Sequence, residues 1–364
     1  MTDVLQTLPP SPTGSPVGRT VHKRTFTKAD GRPLRLYGYT PHTEAPLEQD
    51  GGAVAKGGEL RWHPLRREWN VYAPHRQNRT FKPSAADDPL APSRPGGART
   101  EIPLTDFEVA VFENKFTSLH RDAPPPQEVP GVESAVARGH CDVVVYTPEQ
   151  SGNLHTVGQD RRRLLLSTWC DRYDELFAQG CQFVLPFESR GDAVGVTLHH
   201  PHGQIYAFPF VPKVQRDAAA GFQGGYDMAA HMAEVIDTYG VTEAGGIDAV
   251  CPPFARFPYE TTLVPRRAVK GPWEFAEYEA DGFAHLLGEM TRRYDALFGQ
   301  TTPYMLSLHA APVGLEADWQ FHASFYPLMR APGRIKYLAS VEQSTGAFTV
   351  DVMPDRAARE LRAL

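Results

Sequence analysis

Three histidines fall within four residues in 197-TLHHPHGQIYAFPF-210: His199, His200 and His202, with Pro201 between the last two. A neutral imidazole can bind a metal, shuttle a proton or attack as a nucleophile. Side chains of an extended strand alternate between faces, so His200 and His202 are expected on one face and His199 on the other. Gln204 joins the face of His202 and offers an amide donor and acceptor. Gly203 lets another group approach the backbone closely. A nucleophilic imidazole, a close-approach glycine and an oxyanion-binding amide make a surface suited to phosphoryl transfer, where catalysis is mostly positioning and charge stabilisation. An isolated HPH reads more simply as a strand end with satisfied ring nitrogens; HPHGQ running into an apolar strand favours the chemistry.

The elements that must carry these residues repeat along the chain. Residues 159–180 place Leu165, Leu166, Trp169, Tyr173, Leu176 and Phe177 on one helical stripe, closed by Gly180. Residues 279–299 repeat the design with Phe283, Leu286, Leu287, Met290, Tyr294 and Leu297, closed by Gly299. Both contain RYD-x-LF, at Arg172–Phe177 and Arg293–Phe298. Arg172 precedes His200 by 28 positions (200 − 172), and Arg293 precedes His322 by 29 (322 − 293). That spacing sets His322 against His200 and Ser324 against His202, and implies two copies of one unit. Short strands follow each helix, at 181–191, 194–200 and 204–210, then at 304–312 and 319–328. They point to antiparallel sheet covered by helices, an α+β fold. The expected organisation is a flexible tail at 1–25, a half at 26–215 carrying the nucleophile, and a second half at 216–364. The proline-rich stretches 83–98 and 123–130 read as exposed excursions.

Composition narrows the partners. A net charge of −6, from 37 basic and 43 acidic side chains, leaves no bulk cationic surface for nucleic acid. No apolar run is long enough for a membrane helix. The N-terminus lacks the basic and apolar regions of a signal peptide. Cys141, Cys170, Cys181 and Cys251 stand far apart with no CxxC pair, as free thiols in a reducing cytoplasm would.

HPHGQ resembles the signature of the galactose-1-phosphate uridylyltransferases, a branch of the histidine-triad superfamily. The segments 61-RWHPLRREWNVYAPHRQNRTFKP-83, 112-FENKF-116, 258-PYETTLVP-265 and 319-WQFHASFYP-327 resemble further blocks of that family, so the likeness runs from about residue 60 to 345. It implies two histidine-triad-like halves forming an antiparallel half-barrel flanked by helices. It also implies ping-pong exchange of UMP between UDP-glucose and galactose 1-phosphate through a uridylyl-histidine on His202. In the family the main-chain carbonyl of the first histidine of HPH, here His200, holds the nucleophile's other nitrogen. Gln204 would bind phosphoryl oxygens, Ser189 and Thr197 would face the phosphates, and Arg76 and Arg79 would contact phosphate from a basic turn. Asn114 and Phe116 would serve the uridine, and Lys336 and Glu342 the hexose phosphate. A cytoplasmic homodimer is implied.

The departures concern metals and sugar choice. Where relatives hold zinc with CPLCPS, this chain has 88-DPLAPS-93, so Asp88 and Ala91 stand at the cysteine positions. Gln150 stands at a third ligand position and only His200 survives, too few for a four-coordinate zinc. At the family's second metal site His309 and His322 remain, while Ser324 and Ala218 replace the other ligands. No cofactor is therefore expected. Lys115, Ser189 and Val341 replace residues that face the ribose, phosphates and sugar. They keep open a nucleotide-sugar or dinucleoside polyphosphate phosphorylase using the same nucleophile. A nucleotide sensor without catalysis would not need His202. Gln204, where hydrolases of the superfamily carry a third histidine, favours transfer over water.

Overall fold

The computed structural model describes residues 3–8, 19–49, 51–78, 87–97 and 99–364. The first half builds β1 (Val4–Thr7), β2 (His22–Thr27), β3 (Pro33–Gly38), β4 (Glu59–His63), β5 (Glu68–Tyr72), β6 (Val109–Glu113), β7 (Ser134–Val136) and β8 (His140–Val145). Helix α1 (Gln159–Ala178), β9 (Phe183–Arg190) and β10 (His202–Phe208) complete it. Helices α2 (Lys213–Gln223), α3 (Met228–Glu234) and α4 (Ile236–Tyr239) lead to β11 (Gly240–Ala244), β12 (Ile247–Val250) and β13 (Thr261–Pro265). Then come α5 (Glu277–Phe298), β14 (Tyr304–His309) and β15 (His322–Pro327). A hairpin of β16 (Met329–Ala331) and β17 (Arg334–Ile335), then α6 (Ser340–Thr345) and α7 (Pro354–Arg362), end the chain.

Among the described residues one twelve-stranded sheet runs β1-β2-β3-β6-β8-β10-β9-β14-β15-β13-β12-β11, with every neighbouring pair antiparallel. The repeat is visible in this order. The run β3-β6-β8-β10-β9 matches β11-β12-β13-β15-β14, and in each set of five the long helix lies in the chain between the third and fourth strands. The halves meet where β9 pairs with β14. A separate small sheet, β5-β4-β7, flanks the first half.

Both stripes pack as their 3.6-residue spacing requires. Leu165, Leu166, Trp169, Tyr173 and Leu176 of α1, and Phe283, Leu286, Leu287, Met290 and Tyr294 of α5, are buried in one core beneath the sheet, with Phe177 and Leu297 at its margin. Gly299 ends α5 in the left-handed region (φ 63°). In β10, Gly203, Ile205 and Ala207 face this core, while His202, Gln204, Tyr206 and Phe208 lie half-buried on the opposite face.

The repeated RYD keeps its tyrosine and diverges around it. Tyr173 packs edge-on to Trp273, and Tyr294 packs against Tyr304 and Phe325. Arg172 is buried, with Nη2 2.9 Å from Asp142 Oδ2 and a further contact to Glu175. Arg293 binds Glu289 and the Leu361 carbonyl at the helix surface.

Three expectations need correction. Residues 195–201 are irregular, not a strand, because His200 and Pro201 turn the chain before β10 begins. Within the supposed tail, Val4–Thr7 is a strand paired with β2, because the alternation of 22–27 continues the sheet edge to which it can add. Of the stretch 83–98, the described part is anchored by buried Leu90 and Ser93.

Removing one partner of the Arg172–Asp142 pair leaves a charge buried with reduced pairing. Asp142→Ala is expected to lower the unfolding free energy in urea by about 3 kcal/mol, near the low end for a broken buried pair because Glu175 remains.

Candidate active site

His202 opens β10, and its ring is fixed at one nitrogen. Nδ1 donates to the main-chain carbonyl of His200 at 2.7 Å, which leaves the Nε2 lone pair for chemistry. Burial lowers its pKa below the ordinary 6.5, with the bond to the His200 carbonyl opposing in part. The imidazole is thus neutral at neutral pH.

Strand register brings partners to this ring. Gln204 pairs with Phe187 across β9, which sets Ser189 opposite His202 on the same face. Among the described residues none hydrogen-bonds the Gln204 side chain. His200, His202, Ser189, Arg190, Gln150, Asn153 and the rim residue His199 line an open cleft of about 340 Å³. Arg190 is held by a two-pronged pair with Asp295, at 2.8 Å to each oxygen, and so cannot swing freely. It escapes motif reading, although Asp295 belongs to the repeated RYD.

At the other end of the β10 face, Arg76 Nη1 donates to the Phe116 carbonyl at 2.7 Å, and Asn114 Oδ1 accepts the Phe116 amide at 2.9 Å. The hydroxyl of Tyr206, two residues beyond Gln204, lies against Arg76 and Ser118. The structure therefore joins Arg76, Asn114 and Phe116 in one cluster. Thr197 lies in the irregular approach to His200 and does not line the cleft, though Val196 and Leu198 do. Lys336 and Glu342 pair with each other at 2.7 Å and do not line the cleft; their segment is hooked to Arg66 through the Gln343 carbonyl. Arg79 lies outside the described residues.

Gly203 does permit a close approach, from the core side: a Cβ there would meet Tyr146 Oη at 2.3 Å and the Phe187 carbonyl at 2.8 Å. Tyr146 and Tyr304 donate to opposite oxygens of buried Glu188, at 3.3 and 3.2 Å. Burial pushes that carboxyl up to about 7.

The second half carries an altered copy. His322 opens β15 as His202 opens β10, and donates Nδ1–H to the Gln320 carbonyl two residues earlier, at 3.0 Å. Gln204 pairs with Val143 on β8, and Ser324 pairs with Thr262 on β13. His322 thus stands where His202 stands, and Ser324 where Gln204 stands, which corrects the two-residue offset read from the motifs. His322 stacks on His309, with ring centroids 4.7 Å apart.

The fold with this histidine strand is that of the uridylyltransferases. A solved uridylyltransferase is similar with a TM-score of 0.73 and 25% identity, over 84% of this chain and 97% of that one. Models of the galactose-1-phosphate uridyl transferase N-terminal and C-terminal domains match residues 54–212 and 231–364. The galactose-1-phosphate uridylyltransferase of Thermotoga maritima is 36% identical over 84% of this chain and 98% of its own length. That of Haemophilus influenzae is 32% identical over 84% and 93%. The chain belongs to the galactose-1-phosphate uridylyltransferase family.

The zinc site of relatives finds no fit here. Both nitrogens of His200 are engaged, Nδ1 with Asp88 Oδ2 and Nε2 with the Thr147 carbonyl, each at 2.7 Å, so no lone pair remains for a metal. At the second site Ser324 Oγ bonds Thr262 Oγ1 at 3.1 Å. Among the described residues no three His, Cys, Asp or Glu side chains gather as a metal would require.

A nucleophilic imidazole attacks only when neutral; with His202 in that role, its lowered pKa places the acid limb of kcat/KM for the nucleotide sugar below pH 6.5. A pH–rate profile measures this, and a limb at or above that value would contradict the burial of the ring. Gly203→Ala is expected to destabilise by roughly 1–3 kcal/mol, as overpacking does, and to shift β10 enough to depress turnover.

Proposed function

We propose that this chain exchanges UMP between UDP-glucose and galactose 1-phosphate by a ping-pong route through a uridylyl-histidine at His202. Nε2 attacks the α-phosphorus, the bond to the β-phosphate breaks, and glucose 1-phosphate leaves. The imidazole then carries positive charge, which the His200 carbonyl at Nδ1–H offsets. A phosphate oxygen of galactose 1-phosphate attacks the same phosphorus from the opposite direction, the N–P bond breaks, and UDP-galactose leaves. Gln204 donates its amide to a phosphoryl oxygen, with Ser189 on the same face across β9. Thr197 and Arg79 are assigned to the phosphates on resemblance alone. The Asn114 amide, its oxygen already occupied by the Phe116 amide, is left to donate to a uracil carbonyl, with Phe116 packing the base and Arg76 behind it. Lys336 and Glu342 do not line the cleft of their own chain, which favours a homodimer in which they serve the other copy's sugar phosphate.

The observation that carries this reading is the ring of His202, fixed at Nδ1 by a 2.7 Å main-chain bond and, among the described residues, free at Nε2. The test is intact-protein mass spectrometry after mixing with UDP-glucose. One uridylyl mass should appear with release of glucose 1-phosphate, vanish on adding galactose 1-phosphate, and be absent in His202→Gly. An adduct that ignores galactose 1-phosphate and clears with inorganic phosphate would make the chain a phosphorylase instead. No adduct at all would remove His202 from the mechanism.

A further inference from the structure

His200 is held as tightly as any side chain near the nucleophile. A carbonyl oxygen only accepts, so the 2.7 Å contact to Thr147 fixes a proton on Nε2, and a second proton lies between Nδ1 and Asp88 Oδ2. The imidazole has no exposed surface and the carboxylate 11%, an environment in which a charge-assisted bond is strong. Asp88 is anchored in turn: its Oδ1 accepts the Leu90 amide at 3.0 Å, and Leu90 sits in an apolar cluster with Leu104, Phe107 and Phe112. What this clamp holds is the backbone of His200, whose carbonyl receives His202 Nδ1–H. The next carbonyl, that of Pro201, receives the Tyr146 amide at 3.0 Å.

We infer that Asp88 is a positioning residue for the nucleophile, acting through the ring and then the carbonyl of His200 to fix the tautomer and direction of His202. A carboxylate here does, without a metal, the work of keeping the turn before β10 in place. The inference rests on reading His202 as the nucleophile.

Two readouts test it. In the uridylylation half-reaction, Asp88→Ala should lose about tenfold in rate with KM within about twofold, because substrate still reaches a ring that is no longer aimed. Asp88→Asn, whose amide can donate to Nδ1 of a neutral His200, should recover most of that loss. Independently of activity, nitrogen-15 NMR of the imidazoles should find His202 protonated at Nδ1 in the unsubstituted protein and a mixture of tautomers in Asp88→Ala. The unsubstituted protein should also keep its activity in EDTA. Combining Asp88→Cys, Ala91→Cys and Gln150→His should create a site that takes up about one zinc per chain by elemental analysis. A folded Asp88→Ala with an unchanged half-reaction and an unchanged His202 tautomer would overturn the inference. So would zinc and activity lost together from the unsubstituted protein on chelation. If the unsubstituted protein forms no adduct, the reaction assigned above falls, while the tautomer measurement still decides the role of Asp88.

Discussion

An imidazole presents one nitrogen to phosphorus reliably only when the other is committed, and the bond from His202 Nδ1 to the His200 carbonyl makes that commitment. The bond reaches back two residues, so the carbonyl must turn toward the ring that follows it. A regular strand would point that carbonyl sideways into the ladder. Pro201, with no N–H of its own, frees the turn from competing ladder bonds. The irregular 195–201 segment is therefore what allows the first residue of β10 to be held by its own chain.

The sheet keeps two environments apart. Beneath it, α1 and α5 seal a dry core in which Tyr146, Glu188 and Tyr304 satisfy one another. Above it, His202 and Ser189 line an open cleft, with Gln204 on the same face of β10. Gly203 links the two, since only a residue without a side chain lets the Tyr146 hydroxyl sit so close under β10.

Much of this was legible in the chain. The α1 and α5 stripes have the 3.6-residue period of helices buried on one side, and local spacing alone fixed their faces. HPHGQ placed His202 and Gln204 on one face because the two lie two apart on one strand. Less could be read where contact joins distant segments. Asp88 meets His200 across 112 positions, and nothing in the local pattern of 88-DPLAPS-93 says which ring its carboxylate will find. The strand expected at 194–200 failed because apolar alternation there serves a buried histidine and a loop. The offset between the two histidine strands failed because motif letters, HxH against HxS, align differently from strand starts.

The seam between the halves has a further meaning. Equivalent strands, β9 and β14, lie side by side and antiparallel, with Tyr304 opposite Arg190 and Ser307 opposite Phe187. Edge-to-edge antiparallel pairing of the same strand is what a twofold axis imposes on two identical chains. The central ladder thus has the geometry of an isologous dimer contact preserved inside one polypeptide. Each half closes the open edge of the other with the same strand. Joined in one chain, the two histidine strands need not match, and they carry Gln204 in one copy and Ser324 in the other.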